Sequence, residues 1–369
     1  MKIPFFGKER YYQDNKDQIL KIIEKVYLHG KVVMGPEVDD FEKKIAKYCD
    51  RKYGVAVGSC TDALYFSFLT AGIKKDDEVL LTGFSFIASV TCILRAGGSP
   101  VFVDIDPKTY MMDSKDLENK ITDKTRFILA VDIFGDALNI VELEAIGKKY
   151  GLTIIEDAAQ SIGSKYNDRK VGSLGLCSCI SFDPTKILSA QSNGGIILTD
   201  DFDFYETLCK LRYHGKNKIG EFEILGFNSR ISSAQAAILS FNLDNLNFWI
   251  GRHREIADMY FRGLSNISQL KMPLNRRETR HVYHKFVMRT EKRNDLKKWL
   301  IENNIGCMIH YDKALLENKL FENFIFRAEG LNVINKIKKE VISLPIHAWL
   351  TDEEVNYIIQ KIKEFYQKP

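Results

Sequence analysis

Lys186 has the clearest capacity for chemistry, because its amine lies in a polar loop after an apolar run, in the sequence Ser181-Phe182-Asp183-Pro184-Thr185-Lys186. A lysine amine becomes a nucleophile towards aldehydes when burial or neighbouring cations lower its pKa. Ser181, at the start of the loop, could donate a hydrogen bond to a phosphate. Taken alone, a lysine in such a loop is far more often an ordinary surface lysine.

A carboxylate follows a second apolar run, in the segment Glu156-Asp157-Ala158-Ala159-Gln160. A carboxylate just past a buried parallel strand points into the ligand cleft. There Asp157 could keep a pyridine nitrogen protonated, which makes the ring an electron sink. Gln160 could reach a hydroxyl on the same ring. The alternative interpretation of Asp157 is a cap for the following helix.

Two further polar segments precede predicted helices. The first is Gly58-Ser59-Cys60-Thr61-Asp62-Ala63-Leu64, and the second is Gly226-Phe227-Asn228-Ser229-Arg230. Small residues between a strand and a helix expose backbone N–H groups, and the helix N-terminus favours an anion, so the first segment could bind phosphate. A simple N-cap by Ser59 or Thr61 explains it equally well. The second segment is also compatible with an ordinary helix-entry turn.

The elements that must position these segments are short apolar runs alternating with helical stretches. Several runs are apolar at consecutive positions, which is typical of strands buried on both faces of a parallel sheet. We therefore predict an α/β domain with a seven-stranded, mostly parallel sheet flanked by helices. The predicted strands are Val55–Val57, Val79–Leu81, Val101–Val103, Phe127–Val131, Thr153–Ile155, Cys179–Phe182 and Ile196–Thr199, and helices are predicted over 61–71, 85–96, 114–121 and 139–150.

The pattern changes towards the C-terminus. Residues 202–265 are predicted to be helical, and from about residue 280 short strands and helices alternate irregularly. This predicts a large domain over 1–250 and a smaller α+β domain over 251–369. The predicted elements of the smaller domain are the strands His284–Arg289, Cys307–Tyr311 and Val341–Leu344 and the helices Asn294–Asn303 and Asp352–Tyr366.

Composition excludes several classes of partner. The net charge of +4 comes from 53 basic and 49 acidic residues that are scattered along the chain, so we expect no nucleic-acid binding. The seven cysteines are odd in number and form no CxxC pair, which predicts no metal site and no disulfide framework. Free thiols suit a reducing cytoplasm. We see no N-terminal signal peptide and no run long enough to cross a membrane.

In combination and order, these segments resemble the DegT/StrS-type sugar-nucleotide aminotransferases, which are pyridoxal 5'-phosphate (PLP) enzymes with the PLP-dependent transferase fold type I. The resemblance covers nearly the whole chain. It rests on Gly35-Pro36-Glu37-Val38, Thr61-Asp62-Ala63-Leu64, Glu156-Asp157-Ala158-Ala159-Gln160, Pro184-Thr185-Lys186, Asn193-Gly194-Gly195, His214-Gly215, Asn228-Ser229-Arg230, Gln235-Ala236-Ala237, His310-Tyr311 and Ser343-Leu344-Pro345.

The resemblance implies a role for each candidate residue. Lys186 matches the Schiff-base lysine, and Asp157 matches the partner of the pyridine nitrogen. Gln160 matches the residue near the ring hydroxyl, and Phe86 the aromatic that stacks on the ring. The phosphate would be bound by Ser59, Cys60, Thr61 and Ser181, and by Asn228 of a neighbouring subunit in a homodimer with shared active sites. His214, His310 and Tyr311 lie where the family places its sugar substrate.

The implied reaction moves an amino group from L-glutamate to a nucleotide-linked keto sugar, with pyridoxamine 5'-phosphate as the form that carries the amino group. We expect a 3-keto-6-deoxyhexose on dTDP or UDP, with a 4-keto sugar as the alternative, leading to an amino sugar for lipopolysaccharide O-antigen or a natural product. An aminocyclitol aminotransferase and a non-catalytic regulatory protein remain as other interpretations. Related sugar 3-dehydratases carry His in place of the Schiff-base lysine, so Lys186 argues against that activity.

Three residues depart from the family pattern. Cys60 stands where the family often has Gly, Asn193 where an acidic residue is common, and Asp312 where Pro commonly follows the His-Tyr pair. The phosphate contact near Cys60 is made by the backbone, so the first change is compatible with cofactor binding. The other two bear on the details of the substrate.

Overall fold

Strands and helices alternate through the first half of the chain in the computed structural model, which describes residues 1–367. The strands are β1 (Tyr53–Val57), β2 (Glu78–Thr82), β3 (Ser99–Val103), β4 (Thr125–Val131), β5 (Thr153–Asp157), β6 (Lys165–Tyr166), β7 (Arg169–Lys170), β8 (Cys177–Ser181), β9 (Gly195–Thr199), β10 (Thr279–Arg280), β11 (Phe286–Arg289) and β12 (Val341–Leu344). The helices are α1 (Lys8–His29), α2 (Pro36–Tyr48), α3 (Cys60–Thr70), α4 (Ala88–Arg95), α5 (Ser114–Asn119), α6 (Ile140–Tyr150), α7 (Phe202–Leu211), α8 (Ser233–Leu264), α9 (Arg293–Glu302), α10 (Asn332–Glu340) and α11 (Asp352–Gln367). Within the described residues, no helix has the length and apolar character needed to cross a bilayer.

The central sheet contains seven strands in the order β1-β9-β8-β5-β4-β2-β3. Strand β9 is antiparallel to both of its neighbours, and the other four pairings are parallel. The prediction of an α/β fold with a seven-stranded, mostly parallel sheet is confirmed. Two apolar cores lie against the sheet, with Ile197 in the first core and Ile196 and Leu198 in the second. Because both faces are covered, consecutive strand positions are apolar.

Three of the predicted site segments follow strands that end at the same edge of this sheet. Strand β1 ends at Val57, β5 at Asp157 and β8 at Ser181. The reversed strand β9 begins at this edge, where Gly195 lies opposite both Val57 and Ser181. The parallel arrangement therefore brings together residues that are far apart in sequence.

Polar side chains cap the first turns of α3 and α6. Ser59 Oγ accepts the N–H of Asp62 at 3.1 Å at the start of α3, and Asn139 Oδ1 accepts the N–H of Glu142 at 3.2 Å at the start of α6. Helix α6 ends at Gly151 with φ +65°, a backbone conformation that glycine adopts with little steric cost. The bounds of α3 and α6 agree closely with the predicted helices over 61–71 and 139–150.

Most of the C-terminal elements also match the predictions, but the predicted strand Cys307–Tyr311 is wrong. Met308 forms only an isolated bridge with Ser343. Beyond it the chain leaves the small sheet of β11 and β12, because His310 Nδ1 bonds Ser343 Oγ at 2.8 Å and the Tyr311 ring packs edge-on to Phe84, with their centroids 5.9 Å apart. Strand pairing thus gives way to side-chain contacts.

The division at residue 250 stays a prediction. Helix α8 runs through that position without a break, and Ile3, at the N-terminus, belongs to the apolar core of the C-terminal part and pairs with Ile305. Residues 368 and 369 of the predicted small domain lie outside the described residues. We propose the same two-part organisation, with the N-terminal residues contributing to the smaller part.

A buried ion pair joins α2, β1 and the end of α7. Arg212 Nη1 bonds Glu42 Oε1 and also donates to the carbonyl oxygen of Ala56 at 3.1 Å. Glu42 Oε1 accepts the N–H of Ala56 at 2.7 Å. Both charged side chains are almost fully buried, so neither charge can be solvated if its partner is lost.

We expect Arg212→Met to lower the free energy of unfolding by about 3–5 kcal/mol, because it leaves the Glu42 carboxylate buried without a counter-charge. Adding Glu42→Gln should recover part of this loss, since the amide oxygen still accepts from Ala56 and no charge remains buried. Chemical denaturation of the single and double variants measures both effects. A double variant no more stable than Arg212→Met would contradict this account.

Candidate active site

A cavity of about 750 Å³ opens at the edge of the sheet where β1, β5 and β8 end. It has the volume of a pocket for a small organic ligand. All predicted site residues except His214 and Asn228 line it: Ser59, Cys60, Thr61, Phe86, Asp157, Gln160, Ser181, Lys186, His310 and Tyr311. The structure thus brings together most of the residues that the sequence singled out.

Lys186 is held by a turn that follows β8. Its backbone N–H donates to the carbonyl oxygen of Asp183 at 2.9 Å, and the Asp183 carboxylate accepts the N–H of Thr185 at 2.8 Å. Within residues 1–367 the amine of Lys186 has no hydrogen-bond partner. Burial lowers the pKa of Lys186, against the opposing attraction of Cys60, Asp157 and Asp183. A lysine with a lowered pKa is more often neutral at physiological pH and can attack a carbonyl carbon.

Asp157 lies at the end of β5 in a dry part of the cavity wall. Its Oδ2 accepts from Ser89 Oγ at 2.7 Å, and its Oδ1 accepts the N–H of Ala159 at 3.2 Å. Burial raises the pKa of Asp157, opposed by these two hydrogen bonds and by Lys186. A protonated ring nitrogen in the cavity would supply the positive charge that stabilises the ionised carboxylate.

The N-terminus of α3 forms another part of the wall. Ser59 caps this helix, as the simpler interpretation of the segment predicted, and the first-turn N–H groups of Cys60 and Thr61 have no intrahelical acceptor. Gly195 packs closely here, since a Cβ atom on it would lie 2.5 Å from the backbone nitrogen of Cys60. Together with the Ser181 hydroxyl, this helix N-terminus fits a phosphate group.

Gln160 and Tyr311 form a connected pair beside Asp157. Gln160 Oε1 accepts the N–H of Phe134 at 3.0 Å, and its Nε2 donates to the Tyr311 hydroxyl at 3.2 Å. These bonds fix which end of the amide faces each partner. Next to Tyr311, burial and the charges of Lys285 and Lys186 lower the pKa of His310 to about 3, so its imidazole is neutral at physiological pH.

Two predicted site residues do not reach the cavity of their own chain. His214 and Asn228 are exposed, and Asn228 Oδ1 accepts from Arg230 Nη2 at 2.9 Å. The contribution of Asn228 from a neighbouring subunit stays a prediction. Phe86 does line the cavity but is 57% exposed, which places it at the rim.

Several residues of the cavity wall were missed from the sequence: Phe6, Ser89, Asp132, His284 and Lys285. Ser89 lies three residues after the predicted aromatic Phe86, and this short spacing is a usable signal. No local pattern marks Phe6 or Lys285, because both reach the cavity only when the N-terminus and the C-terminal part fold over it.

Asp132 and Glu156 form a buried acid pair behind Asp157. Asp132 Oδ2 and Glu156 Oε1 have no hydrogen-bond partner among the described residues, and Glu156 Oε2 accepts the N–H groups of Gly172 and Leu174, both at 3.1 Å. Burial, followed by the charge of Glu156, raises the pKa of Asp132 well above its usual range. The protonated form of Asp132 is therefore favoured in the folded chain.

We expect Asp132→Asn to reduce the loss of stability that the wild type shows with rising pH. In the folded chain Asp132 keeps a proton, whereas in the unfolded chain it releases that proton near the ordinary pKa of Asp. The stability that this proton contributes to the folded chain therefore falls as pH rises above the ordinary pKa. Thermal melts at about pH 5 and about pH 8 measure the difference. The exposed Asp123→Asn variant is the control, and equal pH dependence of Asp132→Asn and wild type would contradict the proposed pair.

Comparisons with known proteins show the family to which the chain belongs. The family model for the DegT/DnrJ/EryC1/StrS aminotransferases matches residues 13–363. A pleiotropic regulatory protein of Geobacillus stearothermophilus is 36% identical over 369 residues, which is 100% of this chain and 99% of the relative. A dTDP-3-amino-3,6-dideoxy-alpha-D-galactopyranose transaminase of Aneurinibacillus thermoaerophilus is 36% identical over 363 residues, covering 98% of this chain and 99% of the relative.

A solved structure shows the same fold. The crystal structure of DesV from S. venezuelae, in complex with a ketimine intermediate, superposes with a TM-score of 0.96 at 30% identity, covering 100% of this chain and 99% of DesV. The family match extends over nearly all of the sequence, and the fold is that of the PLP-dependent transferases of fold type I. The chain therefore belongs to the DegT/DnrJ/EryC1/StrS aminotransferase family and is a PLP-dependent aminotransferase.

Proposed function

We propose that this aminotransferase moves the amino group of L-glutamate to a keto sugar carried on a nucleotide. The observation that carries the proposal is the meeting of Lys186, Asp157 and the N-terminus of α3 in one cavity. The substrate we favour is a 3-keto-6-deoxyhexose on dTDP or UDP, with a 4-keto sugar as the alternative. The relative from A. thermoaerophilus, a transaminase of a dTDP-3-amino sugar, supports the first choice.

The residues present fit PLP. We propose that Lys186 would attach its aldehyde carbon, that Asp157 would bind its ring nitrogen and Gln160 its ring hydroxyl, and that Phe86 would pack against the ring. Its phosphate would lie at Ser59, Cys60, Thr61 and Ser181. When bound, PLP withdraws electrons from the carbon that loses a proton and carries the amino group, as pyridoxamine 5'-phosphate, between the two halves of the reaction.

The side chains of this chain then have distinct tasks. The amine of Lys186 would act as the base that moves a proton, and its lowered pKa leaves it able to accept one. The Asp157 carboxylate keeps the ring nitrogen protonated, and Ser89 fixes its orientation through the 2.7 Å hydrogen bond. Neutral His310 and the Tyr311 hydroxyl, held by Gln160, form the polar wall that faces the sugar.

We propose that two subunits complete each active site. Phe86 is 57% exposed at the cavity rim, and Asn228 lies on the surface of its own chain, which supports a second chain lying against this region. In a twofold-symmetric homodimer the same contact occurs twice, so each chain would supply Asn228 to the cavity of the other.

We also propose a cytoplasmic enzyme whose amino sugar enters an O-antigen, another glycan or a natural product. The seven cysteines are free thiols, which supports a reducing compartment. A regulatory role without catalysis is the second candidate, because the relative from G. stearothermophilus is named as a regulatory protein. The two candidates differ in whether the protein reacts with an amino donor.

We expect the purified protein to bind PLP and to lose the absorption of the bound PLP when L-glutamate is added. Borohydride should fix the cofactor covalently on Lys186. Lys186→Gln should lower transamination roughly 10²–10⁴-fold, because it removes both the attachment point and the base. The exposed Lys124→Gln variant is the control. Retained absorption with no response to any amino donor would favour the regulatory candidate, and a label on another lysine would contradict the site.

Subunit exchange tests the shared active site. A mixture of Lys186→Gln and Asn228→Ala subunits should regain about a quarter of the wild-type activity. Half of the dimers contain one subunit of each kind, and one of the two cavities in such a dimer has both native residues. Lys186→Gln mixed with Asp157→Asn is the matched control, and it should regain no activity because both residues belong to the same chain's cavity. Equal recovery in the two mixtures would contradict the two-chain site.

A further inference from the structure

Lys285 is a buried lysine in the cavity wall that the proposed cofactor contacts leave unused. It is 7% exposed and lines the same cavity as Lys186. Its ammonium lies over two aromatic rings, 5.1 Å from the centroid of Phe5 and 4.5 Å from that of Phe6. Within residues 1–367 it has no ion pair and no side-chain hydrogen bond. A buried ammonium in this state lacks the counter-charge that such groups normally need.

Three separate parts of the chain fix the position of Lys285. Its backbone N–H donates to the carbonyl oxygen of Phe134 at 3.1 Å, and the next residue, Phe286, is fully buried in the C-terminal core. The aromatic pair Phe5 and Phe6 is anchored as well. Phe5 stacks on His310 with ring centroids 5.9 Å apart, and the nearby Ile3 pairs with Ile305. The ammonium is thus held at a defined place in the wall.

The charges around Lys285 favour an anion. Burial first, and then the charges of Lys186 and Lys8, lower the pKa of Lys285 to about 7, and the charge of Asp183 opposes this shift. Asp183 is occupied by the turn before Lys186, where its carboxylate accepts the N–H of Thr185. An anion bound beside Lys285 would raise its pKa and stabilise its ammonium form.

We propose that Lys285 is a specificity-determining residue that binds a carboxylate of the amino donor. The inference rests on the proposed function. A donor whose amine reacts at the position of the Lys186 amine would place its carboxylates against the surrounding cavity wall. A lysine ammonium that lies over aromatic rings can donate a charge-assisted hydrogen bond to such a carboxylate. An amino acid would thereby be selected over an amine without a carboxylate.

The direct test is the binding of maleate, an unreactive dicarboxylate, to the PLP-loaded protein by titration calorimetry. Lys285→Gln should weaken this binding roughly 10- to 100-fold, and Lys285→Arg should restore part of it. The exposed Lys124→Gln variant is the control, because Lys124 lies outside the cavity. Lys124→Gln should bind maleate as the wild type does, and an equal effect of both variants would overturn the proposal.

The half-reactions identify which carboxylate is bound. Lys285→Gln should raise the concentration of L-glutamate needed for half-maximal conversion, with little change in the limiting rate, and should leave dTDP binding unchanged. A similar effect with L-glutamine indicates the α-carboxylate, and a smaller effect indicates the side-chain carboxylate. Weaker dTDP binding with normal maleate binding would overturn the proposal.

The outcomes separate this inference from the proposed function. Maleate binding that depends on Lys285 in a protein that does not react with L-glutamate would support the inference and contradict the proposed function. A normal reaction with L-glutamate in Lys285→Gln, with unchanged maleate binding, would leave the proposed function standing and overturn the inference.

Discussion

The shared edge of the sheet is the constraint on which the rest of the site depends. Strands β1, β5 and β8 run in the same direction, so the residues that follow Val57, Asp157 and Ser181 must meet. The reversed strand β9 tightens this edge, because Gly195 leaves room for the backbone of Cys60 beside it. A side chain at Gly195 would push the N-terminus of α3 away from the cavity.

Burial sets the charge states within that edge. The same loss of water lowers the pKa of Lys186 and of His310 and raises that of Asp157 and of Asp132. In each case the neutral form is favoured. A cavity of this kind is suited to a cofactor that brings its own charges, since a cationic ring nitrogen near Asp157 and an anionic phosphate near α3 each find a complementary group. Electrostatics and cofactor binding are therefore two aspects of one arrangement.

The N-terminal segment and the C-terminal part of the chain complete the cavity wall. Phe6 comes from the N-terminal segment, Lys285 from the residue before β11, and His310 from the segment that leaves the small sheet. These residues differ in origin from the group at the strand ends, which fits the proposed division between cofactor attachment and substrate choice. Changes in the closing wall could alter which donor or sugar is accepted while the strand-end residues stay in place.

The amino-acid sequence by itself determined the sheet and the residues directly tied to it. A short run of consecutive apolar residues predicts a strand that is buried on both faces of the sheet. A polar residue at the carboxyl end of such a strand is expected to point into the ligand cleft. Lys186, Asp157 and Gln160 were found in this way, and the resemblance to a known family supplied their chemical roles. Ser59 shows that a local pattern also identifies a helix cap correctly.

Only the tertiary structure decided the remainder. The segment Cys307–Tyr311 has a strand-like composition, yet its bonds to Ser343 and Gln160 take it out of the sheet. Lys285 and Phe6 are 279 positions apart in the sequence and meet through folding alone. Such contacts depend on the packing of elements that are distant in the sequence. The period of a hydrophobic pattern reflects only the local backbone conformation, so it cannot predict them.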